Sequence, residues 1–373
     1  MTPATTDPQE PTDDDASAPG RAAGRDPEAP GSREGRRRTL RAVLLSAAMV
    51  VLVVALVVAG LGLWLRHSLG SDLETIADPF AGIATRAPHQ RVEGDQQPAT
   101  NILVLGSDSR ISAGDPSQWE AGAQRTDALM IMQISGDRQD ISVVSIPRDT
   151  WVDIPGHGQA KINAAYAYGG TSLTIQTVEA LTGIRIHHVA IADFESFTTL
   201  TDEIGGVTID LKEPQTLAGT EFQAGPQQLN GAQALAYARE RDSLPEGDFD
   251  RVKRQQAWMR AIVKQVFSSG ALSSPTRLYS LLRTATRTVA VDDSFTLDEM
   301  QSLAWQTRDL RSGDIHFMTA PASGTATSPD GQSIVQLDQD RSQALFSAFA
   351  QDAVGEYLET APDSIELLPA TVN

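Results

Sequence analysis

Two stretches carry the residue types best suited to chemistry: Tyr237-Ala238-Arg239-Glu240-Arg241 and Asp250-Arg251-Val252-Lys253-Arg254-Gln255-Gln256. A planar guanidinium presents two parallel N–H donors to a phosphate, a match that an ammonium group lacks. Arg239 and Arg241 are two apart and point the same way in extended chain. Arg251 and Gln255 are four apart and share one helix face. Trp258 and Ile262 continue that face, either as an apolar ligand wall or as core. Taken alone, such a charge run also suits a solvated helix face. Three further polar clusters bear on the choice: Gly106-Ser107-Asp108-Ser109-Arg110, Arg125-Thr126-Asp127 and Pro147-Arg148-Asp149-Thr150.

The elements that must position these clusters are short apolar runs over 101–106, 128–134 and 141–146, which read as buried strands. A turn signal at Ser135-Gly136-Asp137-Arg138 separates the second from the third. Short connections favour antiparallel neighbours. The end of the first strand, the start of the second and the end of the third then share one sheet edge. That places Asp108 beside Asp127. Two close carboxylates repel unless a cation or a proton lies between them. Oxygen-only ligands suit a hard cation such as Mg²⁺, which takes one or two carboxylates and a substrate phosphate. Either aspartate alone could equally cap a turn. Pro147 ends the third ladder and sets Arg148 on a loop at the mouth of the sheet. Arg148 and Asp149 could also be a plain surface pair.

Helical spacing over 171–181 is closed by Gly183. A strand over 188–194, a helix over 196–203 and a strand over 207–211 follow. Asn230 is placed to cap a helix running to Ala238, with Gln233 completing a capping box. A long helix is expected over 248–268, mostly helix over 277–310, strands over 315–319 and 333–337, and a helix over 340–350. Residues 166–170 read as a loop and helix wall. Strands mixed with helices over this length imply an α/β domain, three-layer α/β/α with a mixed central sheet.

The chain has 373 residues and a formal charge of −18. Residues 1–41 hold 7 arginines and 8 acids; subtracting these from 30 basic and 48 acidic residues leaves 23 and 40, or −17, for the remainder. Such a surface argues against nucleic acid as a partner, which needs a broad basic face. Any anion must be caught by a local arginine cluster. With no cysteine, disulfides, thiol nucleophiles and thiolate metal sites are excluded. The P-loop, nucleophile-elbow and zinc-protease signatures are missing, and His187-His188 reads as structural.

Residues 1–41 read as a disordered cytoplasmic tail. The uncharged run over 42–65 is long enough for one transmembrane helix and longer than a signal-peptide core. Arg36, Arg37, Arg38 and Arg41 precede it, so the tail is expected inside and the remainder outside the cell membrane. A stalk is expected over 66–99, the folded domain over 100–355, and a C-terminal tail over 356–373.

The motifs NILVLGSDSR (101–110), RTDALMIMQI (125–134), SVVSIPRDTWVDIPGHG (142–158), KINAAYAYGG (161–170), DEIGGVTIDL (202–211) and ALAYARER with DFDRVKRQQ (234–256) closely resemble the LytR-CpsA-Psr family. The resemblance implies a membrane-anchored phosphotransferase that moves a glycopolymer from a polyprenyl-pyrophosphate carrier onto peptidoglycan with Mg²⁺. It further implies that Asp108 and Asp127 hold the metal. Arg148, Arg239 and Arg241 would grip the pyrophosphate, with Arg251 and Gln255 completing the grip. Arg110 and Arg125 also fall within its motifs. The segment over 112–124 is longer than the pattern and reads as a surface insertion, and no further C-terminal module is expected. A wall hydroxyl would attack the phosphorus that carries the glycan, with Asp149 as the candidate to orient it. Two rivals use the same residues differently: a pyrophosphatase that hydrolyses the carrier, and a non-catalytic wall- or lipid-binding module.

Overall fold

The computed structural model describes residues 74–92, 97–107, 126–239, 248–268, 283–284, 289–361, 365 and 367–369. All lie within the compact unit Trp64–Asn373. The expected tail over 1–41, span over 42–65 and insertion over 112–124 lie outside the described residues, as do Asp108, Arg110, Arg125 and Arg241. Asp127 is described for its backbone alone. Among the described residues no helix is long and apolar enough to cross a membrane.

The chain opens with strand β1 (Glu74–Ile76), followed by β2 (Thr100–Ser107), β3 (Thr126–Ile134), β4 (Ile141–Ser145), β5 (Trp151–Ile154) and β6 (Gly158–Lys161). Helix α1 (Ala164–Thr182), β7 (His188–Asp193), α2 (Phe194–Glu203) and β8 (Val207–Leu211) come next. Two small strands, β9 (Gln215–Leu217) and β10 (Thr220–Phe222), precede β11 (Gly225–Leu229), α3 (Gly231–Arg239) and α4 (Asp248–Ser268). The last part holds β12 (Val289–Asp292), α5 (Leu297–Gln306), β13 (Ile315–Thr319), β14 (Ala322–Thr327), β15 (Ser333–Leu337), α6 (Gln339–Ala350) and α7 (Val354–Thr360).

Seven strands form the central sheet in the order β1-β12-β7-β2-β3-β4-β13. It is mixed: β2 runs antiparallel to β3 and parallel to β7, and β4 runs parallel to β13. Successive residues of one strand enter different cores. Leu103, Leu105, Leu129, Ile131 and Val144 pack with Ile175 and Val178 of α1 and Leu345, Phe346 and Phe349 of α6. Met130 and Val143 point the other way, toward Met259 and Val263 of α4. Ile102 joins Phe295 and Leu303 of the α5 region. A strand buried on both sides reads as a continuous apolar run, which is why the first three runs stand out in the sequence.

Local signals account for the helix ends. Asn230 N–H donates to Gln233 Oε1 at 3.0 Å, and Gln233 N–H donates to Asn230 Oδ1 at 2.9 Å, the reciprocal pair of a capping box. Gly183 ends α1 at φ 69°, with its N–H on Glu179 O.

Several boundaries differ from expectation. Residues 277–310 are not mostly helix among those described, because Val289–Asp292 is a strand of the central sheet. Its signal is a β-branched pair ended by Asp292, whose carboxylate accepts from Ser294 N at 3.1 Å and Phe295 N at 3.0 Å and turns the chain. The stalk reading over 66–99 fails from Glu74 onward. β1 pairs with β12, and Ile76, Phe80 and Ile83 pack on the core. Arg86 reaches Glu179 of α1 at 2.7 Å, and Ala87 N–H donates to the same carboxylate. The C-terminal boundary moves as well: α7 runs across it, Ile365 is buried, and Leu367 bridges to Met318 of β13. Helix α1 begins earlier than expected, at Ala164, and is broken at Gly169 and Gly170, where φ and ψ leave the helical region. Strand β14 was not foreseen; its sequence ASGTAT lacks an apolar alternation to reveal it.

Candidate active site

β2 ends, β3 begins and β4 ends toward one edge of the central sheet. Ser107 pairs with Thr126 and Gly106 with Ala128, so Asp127 is the extra residue of a β-bulge. A bulge bends its strand and re-aims the side chains beside it, and bulges concentrate near active sites. Asp108, the residue after Ser107, lies outside the described residues, and so does the expected pairing of Asp108 with Asp127. Gly106 allows the close approach here, since a Cβ at that position would meet the Ala128 Cβ at 2.8 Å.

Arg148 follows β4 in a turn tied on several sides. Thr150 Oγ1 donates to Pro147 O at 2.6 Å, Asn163 N–H to Arg148 O at 3.2 Å, and Val335 N–H to Asp149 O at 2.9 Å. Lys161 Nζ lies 3.1 Å from Asp149 Oδ1, and Arg148 Nε lies 3.9 Å from Asp149 Oδ2. The Arg148 side chain is 19 % exposed. Lys161 was not among the expected site residues, although it opens one of the motifs.

Helix α4 divides its motif among three neighbours. Arg251 and Gln255 share one face and are both buried. Arg254 is directed to α3: its guanidinium lies 4.7 Å from the Tyr237 ring centre and donates to Tyr237 O at 3.1 Å and Gln215 Oε1 at 3.0 Å. Burial pushes the Tyr237 phenol well above its ordinary range, so the ring stays neutral under this arginine. Gln256 Nε2 donates to Ser145 Oγ at 2.7 Å, Met318 O at 2.8 Å and Thr319 Oγ1 at 3.2 Å. Arg239 is the last residue of α3 and is exposed. Sequence spacing therefore paired Arg251 with Gln255 correctly, but it did not reveal that Arg254 and Gln256 are the helix's anchors.

Beside Gln255 a narrow apolar cavity of about 30 Å³ lies between sheet and helices. Val104, Ala128 and Met130 form its sheet side, and Phe197, Trp258 and Met259 its helical side. That volume holds roughly one water, so an acyl or prenyl chain enters only if Met130, Met259 or Phe197 moves. Trp258 is core, 2 % exposed and donating to Thr201 Oγ1 at 2.9 Å, and it also lines the cavity. Among the described residues Gln255 Oε1 is buried without a hydrogen-bond partner. A buried amide left unmatched costs roughly 1–3 kcal/mol, and such a group beside a cavity is a natural ligand contact.

His187 and His188 stay structural. His187 Nδ1 accepts from Asn101 N–H at 3.0 Å, and burial pulls its pKa down to about 4. His188 stacks on Phe295 with ring centres 4.2 Å apart and meets Asp292 and Glu299. Burial works against the Asp292 charge, but hydrogen bonds from His188, Ser294 and Val189 N–H outweigh it and hold its pKa below the ordinary value.

The chain resembles known proteins over the same span. It is 36 % identical over 304 residues to the cell wall biosynthesis protein LcpA of Corynebacterium glutamicum, covering 71 % of this chain and 57 % of that one. It is 31 % identical over 291 residues to the polyisoprenyl-teichoic acid–peptidoglycan teichoic acid transferase TagU of Enterococcus faecalis, covering 78 % and 90 %. LcpA and the probable cell wall biosynthesis protein LcpB of C. glutamicum are spanned over only 57 % and 60 % of their lengths. Among solved structures, B. subtilis TagV superposes with a TM-score of 0.57 at 25 % identity, over 69 % of this chain and 98 % of that one. The model of the LytR_cpsA_psr family matches residues 75–351, and the chain belongs to that family.

Proposed function

We propose that this chain transfers a glycopolymer from a polyprenyl-pyrophosphate carrier to peptidoglycan. The observation that carries the reading is the arrangement around Gln255: a buried amide oxygen without a hydrogen-bond partner among the described residues, one helical turn from Arg251, at an apolar cavity flanked by the β2–β3 bulge. A lipid diphosphate needs that combination, an apolar slot for the tail and charge-assisted donors for the head. The name of TagU gives a polyisoprenyl-linked donor and a peptidoglycan acceptor for that protein, which supports the same classes here.

In this reading the acceptor hydroxyl oxygen bonds to the phosphorus that carries the glycan. The P–O–P bridge breaks, polyprenyl phosphate leaves, and the hydroxyl proton passes to solvent or to the departing phosphate. Arg148, Arg239, Arg241 and Arg251 bind the diphosphate oxygens and stabilise the charge that grows on them, with Gln255 completing the grip and Arg110 and Arg125 close by in sequence. Positioning and electrostatics supply most of such catalysis. The Asp149 carboxylate engages Lys161, which supports a part in holding the Arg148 turn as well as in orienting a hydroxyl. Asp108 and Asp127 are oxygen donors one residue beyond a paired Ser107 and Thr126, and that donor set fits Mg²⁺. Bound there, Mg²⁺ would offset the charge of the leaving phosphate.

With a core cluster on each face of the sheet, the domain reads as an α/β/α sandwich. The run over 42–65 is its membrane anchor, with the domain outside the cell. β1 enters the sheet with Glu74 level, across β12 and β7, with the Leu105 end of β2, so the chain arrives at the rim proposed to meet the lipid. The test is reconstitution of the full chain in vesicles with a polyprenyl-pyrophosphate glycan and peptidoglycan. Polymer attachment that depends on Mg²⁺ and on Arg148 is the expected result; its persistence in Arg148→Ala would refute the assignment.

A further inference from the structure

A second, larger depression lies on the flank of α4 opposite Arg251 and Gln255. It is a groove of about 580 Å³, with Lys253, Gln256, Thr319, Ser323, Thr325 and Arg341 among its lining. Its walls are firmly built. Gln256 is clamped to β4 and β13 by three hydrogen bonds. Pro321 O accepts from Asp338 N–H at 2.9 Å and from Ser342 Oγ at 2.8 Å, which fixes the entry to β14. Residues 367–369 close the other side: Leu368 N–H donates to Phe317 O at 2.8 Å, and Arg260 donates to Leu368 O at 3.0 Å and Pro369 O at 2.8 Å.

The groove is also coupled to the candidate active site. Thr319 pairs with Ser145, three residues before Arg148. β14 lines it through residues 322–325, and its partner β15 is hydrogen-bonded to the Arg148 turn through Val335 N–H and Asp149 O. Among the described residues β14 pairs with β15 alone, with a register shift between Ala322 and Gly324, and its exposed Ser323 and Thr325 line the groove.

We propose that this groove binds an acidic glycan, and that the glycan is the peptidoglycan acceptor; this rests on the transferase reading above. The size suits a few sugar rings rather than an ion. The hydroxyls of Thr319, Ser323 and Thr325 match sugar hydroxyls and N-acyl groups. Lys253 and Arg341 match carboxylates. On a chain of net charge −18, two cations lining one groove make it a favourable place for an acidic polymer outside the arginine cluster of the candidate active site.

The test uses the full chain, a soluble peptidoglycan fragment bearing peptide carboxylates, and a separate polyprenyl-pyrophosphate glycan donor. Thr325→Trp fills the groove from an exposed strand position, and Arg341→Gln removes one charge. Both should weaken fragment binding, followed by titration calorimetry, about tenfold, raise the acceptor KM by a similar factor, and leave donor KM and acceptor-free donor cleavage unchanged. Unchanged fragment binding in Thr325→Trp overturns the proposal. A rise in donor KM with unchanged acceptor KM also overturns it, by assigning the groove to the donor polymer. If fragment binding behaves as expected while the wild-type chain consumes no donor, the transferase reading fails and the groove stands.

Discussion

Gln256 of α4 donates to Ser145 at the end of β4, 2.7 Å away, and so fastens the helix carrying Arg251 and Gln255 to the strand that leads into Arg148. The two halves of the proposed diphosphate grip, far apart in sequence, are set relative to one another by this amide. Gln256→Ala removes three hydrogen bonds that tie α4 to β4 and β13. It should cost about 2–4 kcal/mol and lower Tm by several degrees. Transfer should fall more than the loss of folded protein explains, as measured on the folded fraction at 20 °C.

Arg239 gives the complementary case. It is exposed at the last position of α3, where a surface substitution shifts stability by about 0.5 kcal/mol or less. Arg239→Ala should leave the unfolding midpoint unchanged and reduce kcat roughly 100-fold, the usual effect of losing one donor to a developing charge. A variant with full activity would remove Arg239 from the grip.

Gln255 separates function from stability. Its buried Oε1 has no partner among the described residues, so Gln255→Leu should hold or raise stability by about 1 kcal/mol while donor KM rises at least tenfold. Urea denaturation and donor titration, done side by side, check both halves. Loss of stability together with unchanged donor KM would make Gln255 a core residue.

The pH dependence of folding follows from His187. Burial holds its pKa near 4, below the ordinary 6.5. Between those values the unfolded chain takes a proton that the folded chain refuses, so stability falls as pH drops from about 6.5 to 4 and is indifferent to this group above that window. After screening at a partly exposed site the loss is ~1–3 kcal/mol. In His187→Gln the slope of urea midpoint against pH over that window should flatten. An unaltered slope would assign it to other groups.

Glu179 ties the first described segment to the fold through Arg86, Ala87 N–H and Ile186 N–H. Glu179→Ala leaves Arg86 without its carboxylate in a part-buried site, at a cost of about 3–5 kcal/mol. Proteolysis should then cut first within residues 74–92. If cleavage began elsewhere, the pair would not be what holds β1 in place.

Much of this was legible in the sequence because it is local. The paired strands around Ser107 and Thr126, the capping box at Asn230 and Gln233, and the Arg251–Gln255 face follow from period and spacing. What stayed hidden depends on partners distant in sequence. Glu74–Ile76 is three residues long and becomes a strand only because β12 lies beside it. Val289–Asp292 is fixed by Val189 N–H on Asp292, 2.8 Å away and 103 residues earlier. Arg254 and Gln256 look like ligands in a basic motif, and only the tertiary fold reveals them as anchors. The cavity beside Gln255 is invisible to any linear pattern because four elements line it.

The most direct test of the transferase assignment follows phosphorus. The full chain is incubated with a polyprenyl-pyrophosphate-linked glycan, Mg²⁺ and a peptidoglycan fragment, and the products are read by ³¹P NMR. The account predicts polyprenyl phosphate and a new phosphodiester on peptidoglycan in equal amounts, both lost in Arg251→Ala. Two phosphomonoesters and no phosphodiester would contradict it and identify a pyrophosphatase instead.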